Sequence, residues 1–221
     1  MSKEKIRKKS KKFNKSQLLM VGSLLLILTG SSLIFTKHYI NYRDDKEEQV
    51  LIDEFIDEQK DIVYEQVVEE NIQEEIIEEN EEQKSTEVVE EYIAVIEIPK
   101  ISLRKGLYNK NSSLNNVDKN IQILKESDMP DKINGNFILA GHNGTSKISY
   151  FRNLKKLQLN DISYIYYNGG RYVYKLVNIY EIEKNGKANI IRNASKTTLT
   201  LITCKSNEEK QLVFIFELCE D

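Results

Sequence analysis

Apolar and polar positions divide this chain of 221 residues into three stretches of different texture. The first is a run from Leu18 to Phe35, 18 residues without a charge. As an α-helix it spans about 27 Å at about 1.5 Å per residue, close to the hydrocarbon thickness of a bilayer. In the second stretch, 44–91, Glu dominates and Gly and Pro are absent. Its apolar residues come in pairs: Leu51/Ile52, Phe55/Ile56, Ile62/Val63, Val67/Val68 and Ile76/Ile77. Their spacings of four, seven, five and nine follow a helical stripe only loosely. The stretch reads as a stalk, helical near the apolar run and fraying further out. A partner-binding or coiled-coil arm is the alternative, but no heptad persists.

From Tyr92 onward the period changes to that of strands. Tyr92–Ile98 (YIAVIEI) alternates and stops at Pro99, and Ile101–Tyr108 follows with a break at Gly106. Residues 114–124 fit a helical turn or a strand equally. Asn136–Gly141 (NFILAG) has the composition of a buried strand, and 149–157 places apolar residues at 150, 151, 154 and 157, which predicts a short helix. Ile162–Tyr167 and Arg171–Ile182 alternate on either side of Asn168-Gly169-Gly170, a hairpin signature. Thr197–Cys204 and Gln211–Cys219 finish the pattern. Seven or eight short strands in about 130 residues, with little helix, predict a mostly β fold. A closed or nearly closed barrel buries such strands without leaving edges.

Charge sharpens the division. The overall −3 conceals +9 over residues 1–43 (10 Lys/Arg, one Glu), −18 over 44–91 (three Lys, 21 Asp/Glu) and +6 over 92–221 (19 Lys/Arg, 13 Asp/Glu). Lys8, Lys9, Lys11, Lys12 and Lys15 precede the apolar run, and the chain turns acidic after Arg43. The excess of positive charge keeps the N-terminus cytoplasmic and sends the rest outside. A cleaved signal peptide is the competing reading. The run is longer than a usual signal core, however, and its nearest small-residue site, Gly30-Ser31-Ser32, is not a clean one. The expected organisation is a basic cytoplasmic tail (1–17), a transmembrane helix (18–36), an acidic extracellular stalk (37–91) and a catalytic domain (92–221). The protein would sit in the cell membrane as a single-pass chain. The +6 of the last block is too diffuse for nucleic-acid binding, and no zinc-type cluster, phosphate loop or EF-hand is present.

Two cysteines in an exported chain could form a disulfide. If the last two strands make a hairpin around 205–210, Cys219 lies about eight residues along its strand from the level of Cys204, beyond disulfide reach. Cys219 then reads as a small apolar residue, and a free Cys204 needs another explanation. Cys204 ends a strand and opens the polar loop Lys205-Ser206-Asn207-Glu208-Glu209. His142, one of two histidines, ends another strand inside Gly141-His142-Asn143-Gly144, and Cys204 follows it by 62 positions. His38, just past the apolar run, fits an interfacial residue better than a catalyst. A thiol is a good nucleophile only as thiolate, and a histidine beside it supplies the base or the imidazolium partner.

Thr200-Leu201-Ile202-Thr203-Cys204 matches the TLxTC signature of sortases, and Leu139-Ala140-Gly141-His142 resembles that family's histidine motif. Ile98-Pro99-Lys100-Ile101 resembles the start of its domain, and Phe151-x-x-Leu154 falls where family members carry a helix. The resemblance covers about residues 92–219. It implies a closed eight-stranded sortase-type β-barrel with one or two short helices. It also implies a transpeptidase in which Cys204 attacks the Thr–Gly bond of an LPXTG-like sorting signal on an exported protein and forms a thioacyl intermediate. His142 would protonate the leaving amine and then deprotonate the incoming one. That acceptor would be a cell-wall precursor or another amine such as a pilin lysine. No metal or organic cofactor is implied.

One departure stands out. The family usually carries an arginine at the start of the last strand, facing the cysteine, where it binds substrate and steadies the oxyanion. No arginine follows Arg192 in this chain. Lys210 or Gln211 takes its place, depending on a one-residue register; lysine keeps the charge without the fork, glutamine the donors without the charge. Arg192, before the cysteine strand, is a further possible substitute. The missing arginine leaves a second reading open, a non-catalytic membrane-tethered module that binds peptides or wall polymer through a degenerate site.

Overall fold

A computed structural model describes residues 15–69, 91–184, 188–205 and 208–219. The basic tail up to residue 14 and the acidic stretch 70–90, with Ile76/Ile77, lie outside these residues. Helix α1 runs from Lys15 to Glu69. Over residues 22–35 of the apolar run the side chains face outward, with Leu24 to Leu28 and Leu33 to Phe35 each more than half exposed. A helix apolar on every side has no polar face to turn to water. Among the described residues, α1 is the one helix long and apolar enough to cross a membrane, and it is a candidate anchor.

Eight strands make a single sheet: β1 (Tyr92–Ile98), β2 (Leu103–Tyr108), β3 (Gln122–Ile123), β4 (Asn136–Ala140), β5 (Ile162–Tyr167), β6 (Gly170–Glu183), β7 (Thr198–Cys204) and β8 (Lys210–Leu218). Their order is β2-β1-β5-β6-β8-β7-β4-β3, so the first and last strands of the sheet close toward each other. The Asn120 side chain crosses that seam and donates to Gly106 O at 2.8 Å. The result is a mostly β, nearly closed eight-strand barrel, as the alternation predicts. The β5–β6 turn is tighter than its Asn-Gly-Gly signature suggests. Tyr167 pairs with Gly170, and Asn168 and Gly169 both take positive φ, 48° and 75°, as a two-residue hairpin loop of the primed type requires.

The interior is filled by alternate residues of the strands. Ile96, Leu107, Phe137, Leu139, Ile165, Leu176, Leu199, Leu201, Phe214 and Phe216 are essentially inaccessible. Two expectations shift locally. Residues 114–124 yield only the two-residue β3, preceded by turns. The predicted helix at 149–157 is a chain of turns with one 3₁₀ turn, Leu154–Lys156. Its backbone bonds run Leu154 to Phe151 and Leu157 to Leu154, so Phe151, Leu154 and Leu157 share one face at the three-residue period of that helix.

Residues 51–59 of α1 are not solvated on all sides. Ile52 and Ile56, one turn apart, are buried against Val95, with Phe55, Tyr92 and Tyr166 around them. Asp53 pairs with Arg104 at 2.6 Å, and the Gly169 N–H donates to the Gln59 side chain. Val95 is the outward residue between the inward Ala94 and Ile96, so this part of the acidic stretch covers the outer face of β1.

Candidate active site

Of the seven neighbouring strand pairs in the sheet, six are antiparallel; β4 and β7 run parallel, and that pair builds the site. Asn136 faces Thr198, and the register runs without a slip to Ala140 facing Ile202. Three further bonds carry the pairing past the end of β4. Gly141 N–H donates to Ile202 O at 3.2 Å, the Thr203 hydroxyl donates to Gly141 O at 2.8 Å, and Asn143 Nδ2 donates to Cys204 O at 2.9 Å. The offset between partners, 62 for Gly141 and Thr203, also separates His142 from Cys204. The two residues therefore leave the same end of neighbouring strands, whose backbones lie about 4.8 Å apart.

The strand pair is anchored from below by a buried polar cluster. Asn136 Oδ1 accepts from Thr198 Oγ1 at 3.0 Å and from Thr200 Oγ1 at 2.8 Å. The backbone N–H of Asn136 donates to Asp128 at 3.0 Å. The carboxyl of Asp128 is held below the usual aspartate range by its bond to Lys132, and next by that backbone N–H. Above, the His142 carbonyl accepts from Phe151 N–H at 3.1 Å. A Cβ on Gly141 would stand 2.9 Å from the Phe151 ring, so the residue before His142 must lack one.

His142 is about one-third exposed on its side chain, and Cys204 is half-buried. The imidazole Nε2 lies 3.0 Å from Asp118 Oδ1, a partner that spacing does not reveal because Asp118 sits in the turn-rich segment between β2 and β3. Both Cys204 and Cys219 are free thiols. Among the described residues no group of three or more His, Cys, Asp or Glu is placed to hold a metal ion.

The β7–β8 register separates the two candidates for the arginine position. Cys204 faces Gln211, while Leu199, Leu201 and Thr203 face Phe216, Phe214 and Leu212. Residues opposite one another in an antiparallel pair share a face, and successive residues alternate. Gln211 therefore shares the face of Cys204, opposite to the core face of Leu201 and Phe214, and Lys210 has the parity of Leu212. Lys210 lies 3.4 Å from Glu181, which also binds Lys205 at 2.6 Å. The Lys205 bond, with Lys210 adding to it, holds the Glu181 carboxyl below its ordinary range. Arg192 is at the far end of the pair. Its guanidinium donates to Lys196 O at 3.2 Å and to Asn134 O at 3.2 Å, where β7 and β4 begin. The length of β7, about 20 Å for its seven residues, lies between Arg192 and Cys204.

The sortase-domain family profile matches residues 96–218. The chain belongs to the sortase family. It is 27% identical to a sortase A of Bacillus anthracis over 206 residues, 90% of this chain and 94% of that one. A Clostridium perfringens sortase D5 transpeptidase superposes with a TM-score of 0.51 at 27% identity, covering 61% of this chain and 83% of that one. A Clostridium perfringens sortase C, solved with the C-terminal cell wall sorting motif, has a TM-score of 0.52 at 22% identity, covering 59% and 72%. The barrel is thus the sortase fold, and the sortases that resemble this chain are cysteine transpeptidases.

Proposed function

We propose that this sortase is a membrane-anchored transpeptidase that cleaves an LPXTG-like sorting signal and joins the exported protein to a cell-wall amine. The observation that carries the reading is the parallel β4–β7 pair, which delivers His142 and Cys204 to one end of neighbouring strands. The Cys204 thiolate attacks the carbonyl carbon of the Thr–Gly bond. The C–N bond breaks, His142 gives its proton to the departing amine, and a thioester to Cys204 remains. The acceptor amine attacks that carbonyl and passes its proton to His142. The C–S bond breaks, and thiolate and imidazolium are restored. Gln211, across from Cys204, donates a side-chain N–H to the developing oxyanion. The sortase C solved with a sorting motif supports the ligand class by its shared fold. The lysines before the apolar helix support a cytoplasmic N-terminus with the barrel outside.

The test is turnover of a fluorogenic LPXTG peptide by the full chain in detergent, with Cys204→Ala and His142→Ala as variants. Both should abolish cleavage, and cleavage that survives Cys204→Ala sinks the reading. A glutamine in place of arginine favours one alternative, a barrel that binds sorting peptides without cutting them. A vinyl sulfone sorting-signal mimic separates the two, because only the enzyme forms an adduct at Cys204.

A further inference from the structure

The Asp118–His142 contact is unexplained by the steps above. Its two sides are fixed by different parts of the chain. On one side, the backbone around His142 is tied to β7 and to Phe151. On the other, the segment carrying Asp118 is pinned at three points. Asn115 bonds the N–H and C=O of Ile123 at 2.7 and 2.9 Å, Asn120 bonds Gly106 O at 2.8 Å, and Asp118 N–H donates to the Asn116 side chain at 2.9 Å. Asn115 and Asn120 are both buried. The carboxylate is therefore held against the imidazole by a loop that its buried asparagines tie to β2 and β3. The pair itself is a poor source of stability, since Asp118 is about three-quarters exposed and surface ion pairs contribute little. What it does supply is direction.

We infer that Asp118 is a positioning residue for His142: it accepts the Nε2–H, fixes the neutral ring in that tautomer, and leaves Nδ1 as the nitrogen that trades protons with Cys204 and the amines. This rests on the proposed role of His142. A neutral imidazole carries one N–H, so the nitrogen bonded to a carboxylate keeps the proton and the other keeps the lone pair. The same carboxylate also faces the imidazolium that forms when the acceptor amine gives up its proton.

The test uses the full chain in detergent with His38→Gln, so that His142 is the only imidazole. At a pH where the ring is neutral, the two ring nitrogens give separate 15N resonances whose splitting is largest for a single tautomer. The unaltered site should show the protonated-type signal at Nε2 and a wide splitting. Asp118→Ala should narrow the splitting and lower kcat on a fluorogenic LPXTG peptide on the order of ten-fold, with KM within about two-fold, because only the oriented part of general acid–base catalysis is lost. Lys119→Ala, a change in the same loop, should move neither. The inference is overturned if the proton sits on Nδ1 in the unaltered protein, or if Asp118→Ala leaves either the splitting or kcat as it was. The spectroscopic arm needs no substrate. Turnover that survives His142→Ala would instead defeat the proposed function, whereas a dead His142→Ala beside a fully active Asp118→Ala defeats only the role of Asp118.

Discussion

Replacing Gln211 tests how a sortase works without the arginine that usually faces the cysteine. Gln211 stands directly across from Cys204, and the Cβ atoms of such a pair lie about 4.5–5.5 Å apart. A carboxamide on that face reaches a carbonyl oxygen of an acyl group held on Cys204. A neutral hydrogen bond to such an oxygen contributes about 1–1.5 kcal/mol, so Gln211→Ala should lower kcat/KM about ten-fold. A guanidinium supplies a charged, forked donor, which is worth about twice as much. Gln211→Arg should therefore raise kcat/KM by about 1 kcal/mol, roughly five-fold above the natural chain.

Lys210 provides the internal control. It has the opposite parity on β8, and its ammonium lies beside Glu181. Lys210→Ala should leave kcat/KM within about two-fold, since an exposed ion pair carries little energy. The assay is initial-rate cleavage of a fluorogenic sorting peptide, with melting curves confirming that each variant is folded. Should Lys210→Ala fall ten-fold while Gln211→Ala stays within two-fold of the natural chain, the register argument is wrong and the lysine faces the substrate.

Three further outcomes follow from the packing. Asn136→Leu removes the acceptor of two buried threonine hydroxyls and should cost about 2–3 kcal/mol, seen as a Tm lower by about 10 °C, with Thr200→Val recovering part of the loss. Ile56→Asp places a charge against Val95 and should free residues 51–59 from β1, read as faster exchange of the Gly169 amide, while cleavage activity stays within about two-fold. Burial raises the hydroxyl pKa of Tyr166, Tyr172 and Tyr174 above the ordinary 10.0, so these groups stay neutral in the folded barrel while the unfolded chain ionises. Their contribution is complete below the unfolded value of about pH 10 and is lost as pH rises from there through the folded values, so the denaturant midpoint should fall as pH rises above about 10, and less steeply in Tyr174→Phe.

Most of the barrel was legible because its strands alternate and their turns carry strong punctuation. β1 and β5 begin and end where the pattern and the Pro99 and Asn168-Gly169 signals place them. What escaped the pattern is what a local period cannot encode. Gln122–Ile123 is too short to alternate, and its strand exists because Asn115 and β4 hold it. The i, i+4 pair Ile52/Ile56 looks like any other apolar pair in an acidic helix until Val95 and Tyr166 are brought to it from 39 or more residues away.

The site shows the same division more sharply. His142 and Cys204 stand out because each is a scarce residue type at a strand end, but that gives two candidates rather than one site. Their meeting requires β4 and β7 to pair in parallel, and neither the alternation nor the flanking turn signals of NFILAG and TTLTLITC distinguish a parallel partner from an antiparallel one. An antiparallel pairing of these two strands would put Cys204 beside Asn136 and His142 beside Thr198, at opposite ends. The polar residues decide against it. Asn136 on β4 finds Thr198 and Thr200 only when both strands run the same way, and an antiparallel pairing would leave three buried polar side chains without these partners. Thr200 belongs to the TLITC motif that ends in Cys204, so the residue that satisfies a buried asparagine also fixes which way the cysteine strand runs, and with it whether the thiol and the imidazole can meet.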